Sequence, residues 1–171
     1  STIVSVRHAN DDDQPALREL SARAVATLRQ VYRPTPVAIG AKHARRANRQ
    51  CLVAMIGPIT VGYLEFETRP DALRLLGPMV DPDHRRQGVA RALISQLIAI
   101  ARNTGTARLS LATIEQTGNV EIFTKLGFHV VSRAPVTDAI SVKNEPLVDV
   151  EMELVVSSLA GSDHRMAKSL G

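Results

Sequence analysis

The spacing of apolar residues predicts that strands and helices alternate along the chain. Residues 2–7 alternate apolar and polar side chains, which is typical of a strand with one buried face. The aspartates at positions 11–13 can cap a helix and match its dipole, and residues 15–29 then repeat apolar side chains at helical spacing. A second, shorter and basic helix is predicted over residues 38–48.

The rest of the chain predicts a sheet built around one long helix. Residues 51–56 and 59–66 are apolar runs separated by Gly57-Pro58, which indicates a hairpin. The further predicted elements are a strand over residues 72–80, a helix over 88–103, a strand over 108–114, a helix over 119–126 and strands over 128–133 and 147–156. A strand, a long helix and a second strand in this order predict a parallel crossover.

Length and composition are those of one globular α/β domain. We expect a single domain over residues 1–156 and a flexible tail over residues 157–171, which are rich in Ser, Gly and Ala. No apolar run approaches the ~20 residues that a membrane-spanning helix needs, and the first residues lack the layout of a secretory signal. We therefore expect a cytoplasmic protein without a membrane partner. The lone Cys51 lies in an apolar run and is predicted to be a buried, unreactive thiol.

The net charge of +4 is unevenly distributed. Residues 1–50 hold nine Lys or Arg against four Asp or Glu, hence +5, whereas the remainder holds twelve against thirteen, hence −1. A basic surface attracts nucleic acid or other anions. Apart from Tyr32, however, no aromatic platform stands among these basic residues, and no groove-reading motif is present. We therefore expect no nucleic-acid partner.

The strongest chemical signal lies where the strand over residues 72–80 leads into the long helix. We call residues 85–90, Arg85-Arg86-Gln87-Gly88-Val89-Ala90, the phosphate loop. A helix N-terminus presents unpaired N–H groups and a partial positive charge, and Gly88 lets a ligand approach the backbone. Arginines here oppose the helix dipole unless an anion binds. The pattern predicts a pyrophosphate site, and it lacks the glycine spacing of a dinucleotide loop and the Gly-Lys-Ser/Thr of a nucleotide P-loop.

Residues 80–93 resemble the acetyl-CoA signature of the GNAT superfamily of N-acetyltransferases, Arg/Gln-x-x-Gly-x-Gly/Ala, which Arg85, Gly88 and Ala90 match. Residues 122–128, Ile-Phe-Thr-Lys-Leu-Gly-Phe, are similar to the family's second motif. The resemblance covers about residues 3–155. It implies the GNAT acyl-CoA N-acyltransferase fold, a central mixed, twisted sheet of about seven strands flanked by about four helices. It also implies acetyl-CoA as co-substrate without a metal, and direct attack of a primary amine on the acetyl group in a ternary complex.

In the family, two adjacent parallel strands splay apart and the pantetheine arm of the cofactor enters the gap between them. The resemblance places these strands at residues 73–80 and 108–114. It assigns backbone groups to the pantetheine and the phosphate loop to the pyrophosphate. The cofactor-binding residues that it implies are Met79, Val80, Arg85, Arg86, Gln87, Gly88, Val89, Ala90, Arg91, Gln116, Asn119 and Phe123.

The second motif departs from the family pattern at two places. Many members carry a tyrosine that protonates the departing thiolate, but Phe123 stands there and cannot donate a proton. A water or another hydroxyl would have to serve instead. The asparagine that commonly begins this motif is replaced by Gln116, with Asn119 three residues later, and either amide could reach the cofactor.

The general base is a third open point. Some relatives keep a glutamate in the strand before the phosphate loop, where Arg74 stands in this chain. Glu65, with Glu67 beside it on the preceding strand, and His129 are the candidate catalytic residues. For each of them the alternative is an ordinary solvent-facing side chain.

Acceptors in the family are held by the segment between the first two helices and by the loop before the last strand. Here these segments are residues 31–47, which contain Arg33, Lys42, Arg45 and Arg46, and residues 134–146. Their charge predicts a polar, partly acidic small-molecule amine. The alternative function is a non-catalytic acyl-CoA sensor, which Phe123 and the missing strand glutamate favour. A homodimer through exposed edge strands is compatible with the sequence.

Overall fold

A computed structural model describes residues 2–35 and 49–156. These two segments contain nine strands: β1 (Ser5–His8), β2 (Tyr32–Pro34), β3 (Gln50–Ile56), β4 (Ile59–Thr68), β5 (Ala72–Val80), β6 (Arg108–Ile114), β7 (His129–Pro135), β8 (Ala139–Ser141) and β9 (Val148–Val155). The α-helices of the same segments are α1 (Gln14–Leu28), α2 (Val89–Asn103) and α3 (Asn119–Lys125). Single 3-10 turns precede them at Asp11–Asp13, Pro82–His84 and Glu115–Thr117.

Seven strands form one mixed sheet in the order β1-β3-β4-β5-β6-β9-β7, and β2 pairs with β8 in a separate two-stranded sheet. Neighbours in the large sheet are antiparallel except β5 and β6, which are parallel and are joined through α2. The predicted hairpin, the crossover and the seven-stranded mixed sheet are therefore confirmed.

The parallel ladder between β5 and β6 is unusually short. It runs from Ala72 opposite Arg108 to Arg74 opposite Ser110 and then stops. Beyond that point β5 stays paired with β4 as far as Val80, and β6 stays paired with β9 as far as Ile114. The sheet is thus open between residues 75–80 and residues 111–114, and we call this opening the gap. It is the splay that the resemblance implies.

The apolar core lies between the sheet and α2. The helix repeats apolar residues every three to four positions, so that one side of it is buried on the sheet. Its buried side chains are Val89, Leu93, Ile94, Leu97 and Ala101, and they belong to one cluster with residues of β3, β4, β5, β6 and β9. On the opposite face of the sheet, Leu20 of α1 packs on Val53 and Tyr63. The two helices α2 and α1 therefore cover opposite faces of the sheet.

Most predicted boundaries lie within a few residues of the observed ones, and the exceptions have clear reasons. The first strand begins at Ser5 rather than at residue 2, because pairing with β3 starts only there. The strands β2 and β8 have three residues each, too few for a recognisable period, and were not predicted. The predicted helix over residues 38–48 and the predicted tail over residues 157–171 lie outside the described residues.

Candidate active site at the gap between β5 and β6

The phosphate loop follows a capped turn and contains two left-handed residues. The Asp81 carboxylate accepts a hydrogen bond from the Asp83 N–H, at 3.0 Å, and caps the turn. Arg86 then has φ 62° and Gly88 has φ 80°. A non-glycine residue in this region is uncommon and costs about 1 kcal/mol or more. Positive φ values close together in a loop turn successive N–H groups toward one point, which is a known way to bind an anion.

The first N–H groups of α2 have no hydrogen-bond acceptor within the helix. The Ala92 N–H is already bonded to the Gly88 carbonyl, at 2.9 Å, while the N–H groups before it have no acceptor one turn earlier in the helix. No side chain caps this end and no acid lies in the first turn. A Cβ added to Gly88 would meet no atom within 4 Å, so the space in front of the loop is open. The loop therefore fits a pyrophosphate.

Positive charge surrounds the same point. Arg85, Arg86 and Arg91 are exposed, Gln87 is half-buried, and Val89 is buried in the core beneath the loop. The Arg91 guanidinium donates to the Lys125 carbonyl at the end of α3, with 3.4 Å between the two atoms. This contact connects the two predicted motifs, which are separated in the sequence but adjacent in the fold.

Backbone groups of β5 form one wall of the gap. The Asp81 N–H donates to the Val61 carbonyl of β4, at 2.8 Å. Since successive residues of a paired strand direct their backbone groups to opposite sides, Met79 faces β4 and Val80 faces the gap. The Met79 carbonyl oxygen would lie only 2.8 Å from a Cβ added at Gly62 of β4, which agrees with this direction. Pro78 has no N–H to offer.

Gly62 also determines how closely α2 packs on the sheet. A Cβ at this position would lie 2.9 Å from Cγ1 of Val89, the first residue of α2. Such a distance is shorter than side chains tolerate, so only glycine lets Val89 come this close. The closeness keeps the helix N-terminus, and hence the phosphate loop, against the end of β5.

The three cofactor residues expected in the second motif have different surroundings. The Gln116 side chain donates to the Pro146 carbonyl, at 3.2 Å, and accepts the Val148 N–H, at 3.0 Å, so it fastens the start of β9. Asn119 is the first residue of α3, and its side chain makes no hydrogen bond within residues 2–35 and 49–156. Phe123 is 8% exposed and packs edge-on against Phe128, with 5.7 Å between ring centres. Of the three, Asn119 has the free amide.

Glu65 lies one strand away from the gap. It is half-buried on β4 opposite Leu76, beside the irregular pairing at residues 77–78 of β5. Adjacent strands are about 4.8 Å apart, so its side chain can reach the edge of the gap. Glu65 has no ion pair within the described part of the chain, whereas Glu67 is held by Arg49 and Arg69.

Cys51 faces Glu65 across the β3–β4 ladder. Burial, and then the nearby Glu65 carboxylate, raise the pKa of the Cys51 thiol to about 12. The predicted unreactive thiol is consistent with this value, because the thiolate is the reactive form.

His129 lies far from the gap. It is exposed at the start of β7, opposite Glu153 of β9, and β7 is the edge strand of the sheet. Two strand spacings separate it from β6, which is about 10 Å. The structure therefore places Glu65 on the strand next to the gap and the phosphate loop at the open end of the gap, and it does not bring His129 there.

Arg74, which stands where relatives keep a glutamate, is engaged in an ion pair. Its guanidinium contacts both carboxylate oxygens of Glu151 on β9, with 3.0 Å between Nη2 and Oε1, and it donates to Ser110 Oγ at 3.3 Å. The pair crosses β6 at the closed end of the gap. The sequence offered no signal for Glu151, because the two residues are 77 positions apart.

The described part of the first segment predicted to hold the acceptor, residues 31–35, meets the second predicted segment in space. β2 pairs with β8, and the pairing is extended by the Thr35 N–H on the Asp138 carbonyl, at 2.8 Å, and by the Val142 N–H on the Val31 carbonyl, at 3.0 Å. A small cavity of about 110 Å³ beside this sheet is lined by Gln30, Val31, Gln116, Lys143 and Glu145. Of the predicted basic residues only Arg33 falls within the described segments, and it is exposed.

Carboxylates gather between this small sheet and the open end of the gap. Asp149 of β9 lies opposite Ile114, the last residue of β6. Burial, and then the charges of Asp138 and Glu151, raise the pKa of the Asp149 carboxyl, and Arg74 lowers it in part. Burial likewise raises the pKa of the Tyr32 phenol on β2, Arg29 lowers it in part, and Asp138 and Asp149 raise it further. Sequence reasoning missed Asp149, which only the β6–β9 register brings to the gap.

Within the described segments, no group of three His, Cys, Asp or Glu residues is arranged to hold a metal ion. No helix of residues 2–35 and 49–156 is long and apolar enough to cross a membrane.

Solved structures share this fold. They include yncA of Salmonella typhimurium, solved with its cofactor acetyl-CoA, at 22% identity over 90% of this chain and 94% of that one, with a TM-score of 0.67. A GCN5-related N-acetyltransferase from Kribbella flavida matches at 22% identity over 89% and 97%, with a TM-score of 0.70. The ribosomal-protein-S18-alanine N-acetyltransferase of Escherichia coli matches at 18% identity over 90% and 94%, with a TM-score of 0.67.

No curated protein matches the sequence significantly. The family model described as "Acetyltransferase (GNAT) family" matches residues 14–128, which is more than half of the chain and includes the phosphate loop. Together with the splayed strands and the seven-stranded mixed sheet, this match shows that the chain belongs to the acetyltransferase (GNAT) family, whose acyl donor is acetyl-CoA.

Proposed function

We propose that the protein transfers the acetyl group of acetyl-CoA to the primary amine of a polar small molecule, by direct attack in a ternary complex. The observation that carries the proposal is the proximity of three features: the gap between β5 and β6, the phosphate loop at its open end, and Glu65 on the adjoining strand β4. Acetyl-CoA supplies an activated acyl thioester. The remaining tasks, which are binding, orientation and proton removal, belong to residues of this chain.

The binding role follows from the direction of the backbone groups. In the proposal the N–H groups of Gly88, Val89 and Ala90 hold the pyrophosphate, with Arg85, Gln87, Arg86 and Arg91 around it. Val80 offers its backbone to the pantetheine amides across the gap, and Met79 supports it from the β4 side. Asn119 contributes its free amide at the other motif, whereas Gln116 and Phe123 act through the packing of β9 and α3.

The proton-transfer role is assigned to Glu65. An acceptor amine is protonated near neutral pH and must lose a proton before it can attack, so a carboxylate or a water held by one is needed. Glu65 is the carboxylate of β4 that has no ion pair among the described residues and lies beside the gap. His129, by contrast, lies on β7, two strands away from β6. Phe123 cannot protonate the leaving thiolate, and a water is the proposed donor.

The acceptor is proposed to be a polar amine that approaches past the β2–β8 sheet. The described residues place there three carboxylates, Asp138, Asp149 and Glu145, and three basic side chains, Arg29, Arg33 and Lys143. Such mixed charge favours a polar acceptor over a bulky aromatic one. A panel of amino acids, polyamines, aminoglycosides and aryl amines, assayed by thiol release, tests the class. Turnover of aryl amines alone would contradict it.

The binding assignment is tested by calorimetry with acetyl-CoA. Gly88→Asp places a carboxylate at the pyrophosphate position, and Arg86→Glu reverses a neighbouring charge, so both should bind at least tenfold more weakly while remaining folded. Arg102→Glu is the matched control, because Arg102 is exposed at the far end of the same helix. Undiminished binding in both loop variants would overturn the assignment.

A second candidate function is a sensor that binds acyl-CoA without turnover. Phe123 and Arg74 favour it, because neither side chain can take the place of the proton-donating tyrosine or the strand glutamate of other family members. Acetyl-CoA binding without thiol release across the full amine panel would support the sensor, and release above the rate without protein would exclude it.

A further inference from the structure

We propose that Asp81 and Arg23 are positioning residues that make α1 part of the acetyl-CoA site, by fixing the turn from which the phosphate loop starts. This inference rests on the proposed function. It concerns a cluster of three charged or titratable side chains, Arg23, Asp81 and His84, which we call the loop clamp.

Asp81 is the centre of the loop clamp. It is 8% exposed, and burial alone would raise the pKa of its carboxyl. The hydrogen bond from the Asp83 N–H and the charge of Arg23 outweigh that effect, so that the pKa lies below its ordinary value. The backbone of the same residue is bonded to β4 through the Val61 carbonyl, and its carbonyl accepts the His84 N–H at 2.9 Å.

Arg23 brings α1 into this cluster. Its guanidinium donates to Asp81 at 2.9 Å, and the Asp83 carboxylate lies 3.5 Å away from it. The contact spans 58 positions of sequence and joins the helix on one face of the sheet to the turn before α2. A buried carboxylate is expensive without such a partner, so the turn and α1 hold each other in place.

His84 completes the cluster from the other side. Its Nδ1 is buried, lies 3.4 Å from the second Asp81 oxygen, and has no hydrogen bond within the described part of the chain. The residue is therefore packed against Asp81 rather than turned toward solvent. The next residue but one is Arg86, whose left-handed conformation requires the surrounding structure to hold it. The loop clamp holds the turn that directly precedes this residue.

Two explanations of the loop clamp predict opposite signs for one substitution. If Arg23 merely attracted the anionic cofactor, Asp81→Asn would remove a competing negative charge and tighten acetyl-CoA binding. If Asp81 positions the loop, the same change removes a charge-assisted hydrogen bond and weakens binding. About tenfold weaker binding is the size expected for the loss of one such bond.

The experiment measures acetyl-CoA affinity by calorimetry for Asp81→Asn, Arg23→Gln and the double variant. We expect each single variant to lose about tenfold, the double variant to lose no more than either, and Arg23→Lys to recover part of the loss. Arg18→Gln is the control, since Arg18 is exposed on α1 and, among residues 2–35 and 49–156, its side chain bonds only to the Gln14 carbonyl of its own helix. At saturating acetyl-CoA, kcat and the KM for the amine should stay unchanged.

Tighter binding by Asp81→Asn, or unchanged binding in both single variants, would overturn the inference. So would equal losses in kcat, amine KM and cofactor affinity, because these would show only a general loss of structure, which urea unfolding of each variant would also detect. If the unaltered protein does not bind acetyl-CoA at all, the proposed function fails instead, and the two failures are therefore distinguishable.

Discussion

At the scale of single residues, Glu65 and His129 are the two candidates for proton transfer. Either side chain has the chemistry of a general base, but Glu65 lies on the strand next to the gap and His129 does not. Glu65→Gln should lower kcat by about 100-fold, because the amide cannot accept the proton of the ammonium ion. Acetyl-CoA affinity should stay within a factor of two or so, since the carboxylate is not in the cofactor-binding set. His129→Gln is the matched comparison. A loss in the histidine variant and none in the glutamate variant would reverse the assignment.

Asp13 supports a prediction about acid stability. Its carboxylate bonds both terminal nitrogens of Arg7, at 2.8 and 2.9 Å, and accepts the Asn10 N–H at 2.7 Å. The bond from Arg7 is the largest cause that lowers the pKa of Asp13 from 3.8 to about 2. A lowered pKa stabilises the folded state at pH values above about 3.8, and this contribution is lost as the pH falls toward 2.

Asp13→Asn should therefore lower the free energy of unfolding at pH 7 by about 1 kcal/mol, as for other helix caps. The difference from the unaltered protein should shrink as the pH is lowered from 4 through about 2, because the Asp13 carboxyl becomes protonated over this range. Urea unfolding at several pH values measures it. Asp12→Asn is the control, because Asp12 is exposed and its side chain makes no ion pair within the described residues. A pH-independent difference would contradict the linkage.

At the scale of elements, the close packing of α2 on the sheet depends on the glycine at position 62, which has no side chain. Gly62→Ala would place a Cβ 2.8 Å from the Met79 carbonyl and 2.9 Å from Val89, so helix and strand must move apart. We expect unfolding to become easier by about 1–3 kcal/mol, the usual cost of overpacking, and acetyl-CoA binding to weaken with it. Ala54→Gly, on the opposing strand β3, should lower stability without affecting binding. Denaturation measures the change in stability and calorimetry measures the change in acetyl-CoA binding, so the two effects can be told apart.

The elements also show how far sequence reasoning reaches. The strands β3, β4 and β5 and the helix α2 were predictable because each is long enough to show its own period, and the phosphate loop because its arginines oppose the helix dipole. The β2–β8 pair and the Arg74–Glu151 ion pair were not predictable, since each depends on segments that are distant in sequence. Gln116 was assigned to the cofactor from its place in a motif, whereas its observed bonds are to the start of β9.

At the scale of the whole molecule, the gap predicts how acetyl-CoA should change stability. A ligand that binds only the folded state at 100 times its Kd adds about 2.7 kcal/mol, which for a chain of this size raises Tm by roughly 5–10 °C. Differential scanning fluorimetry with and without acetyl-CoA measures the shift. Gly88→Asp, which should bind at least tenfold more weakly, should reduce the shift to about half or less at the same acetyl-CoA concentration, and Arg102→Glu should retain it. A shift of equal size in Gly88→Asp would place the ligand elsewhere.

The short ladder between β5 and β6 also bears on where the chain could be divided. The backbone pairing between the β1-β3-β4-β5 and β6-β9-β7 halves of the large sheet consists of the residue pairs from Ala72–Arg108 to Arg74–Ser110. Gly105 lies in the exposed turn between α2 and β6, which is where the chain passes from one half of the sheet to the other and could be cut. Two fragments separated there would each keep one wall of the gap. Acetyl-CoA, bound between the two walls, would then hold the fragments together. The fraction of reassociated fragments would therefore increase with the acetyl-CoA concentration.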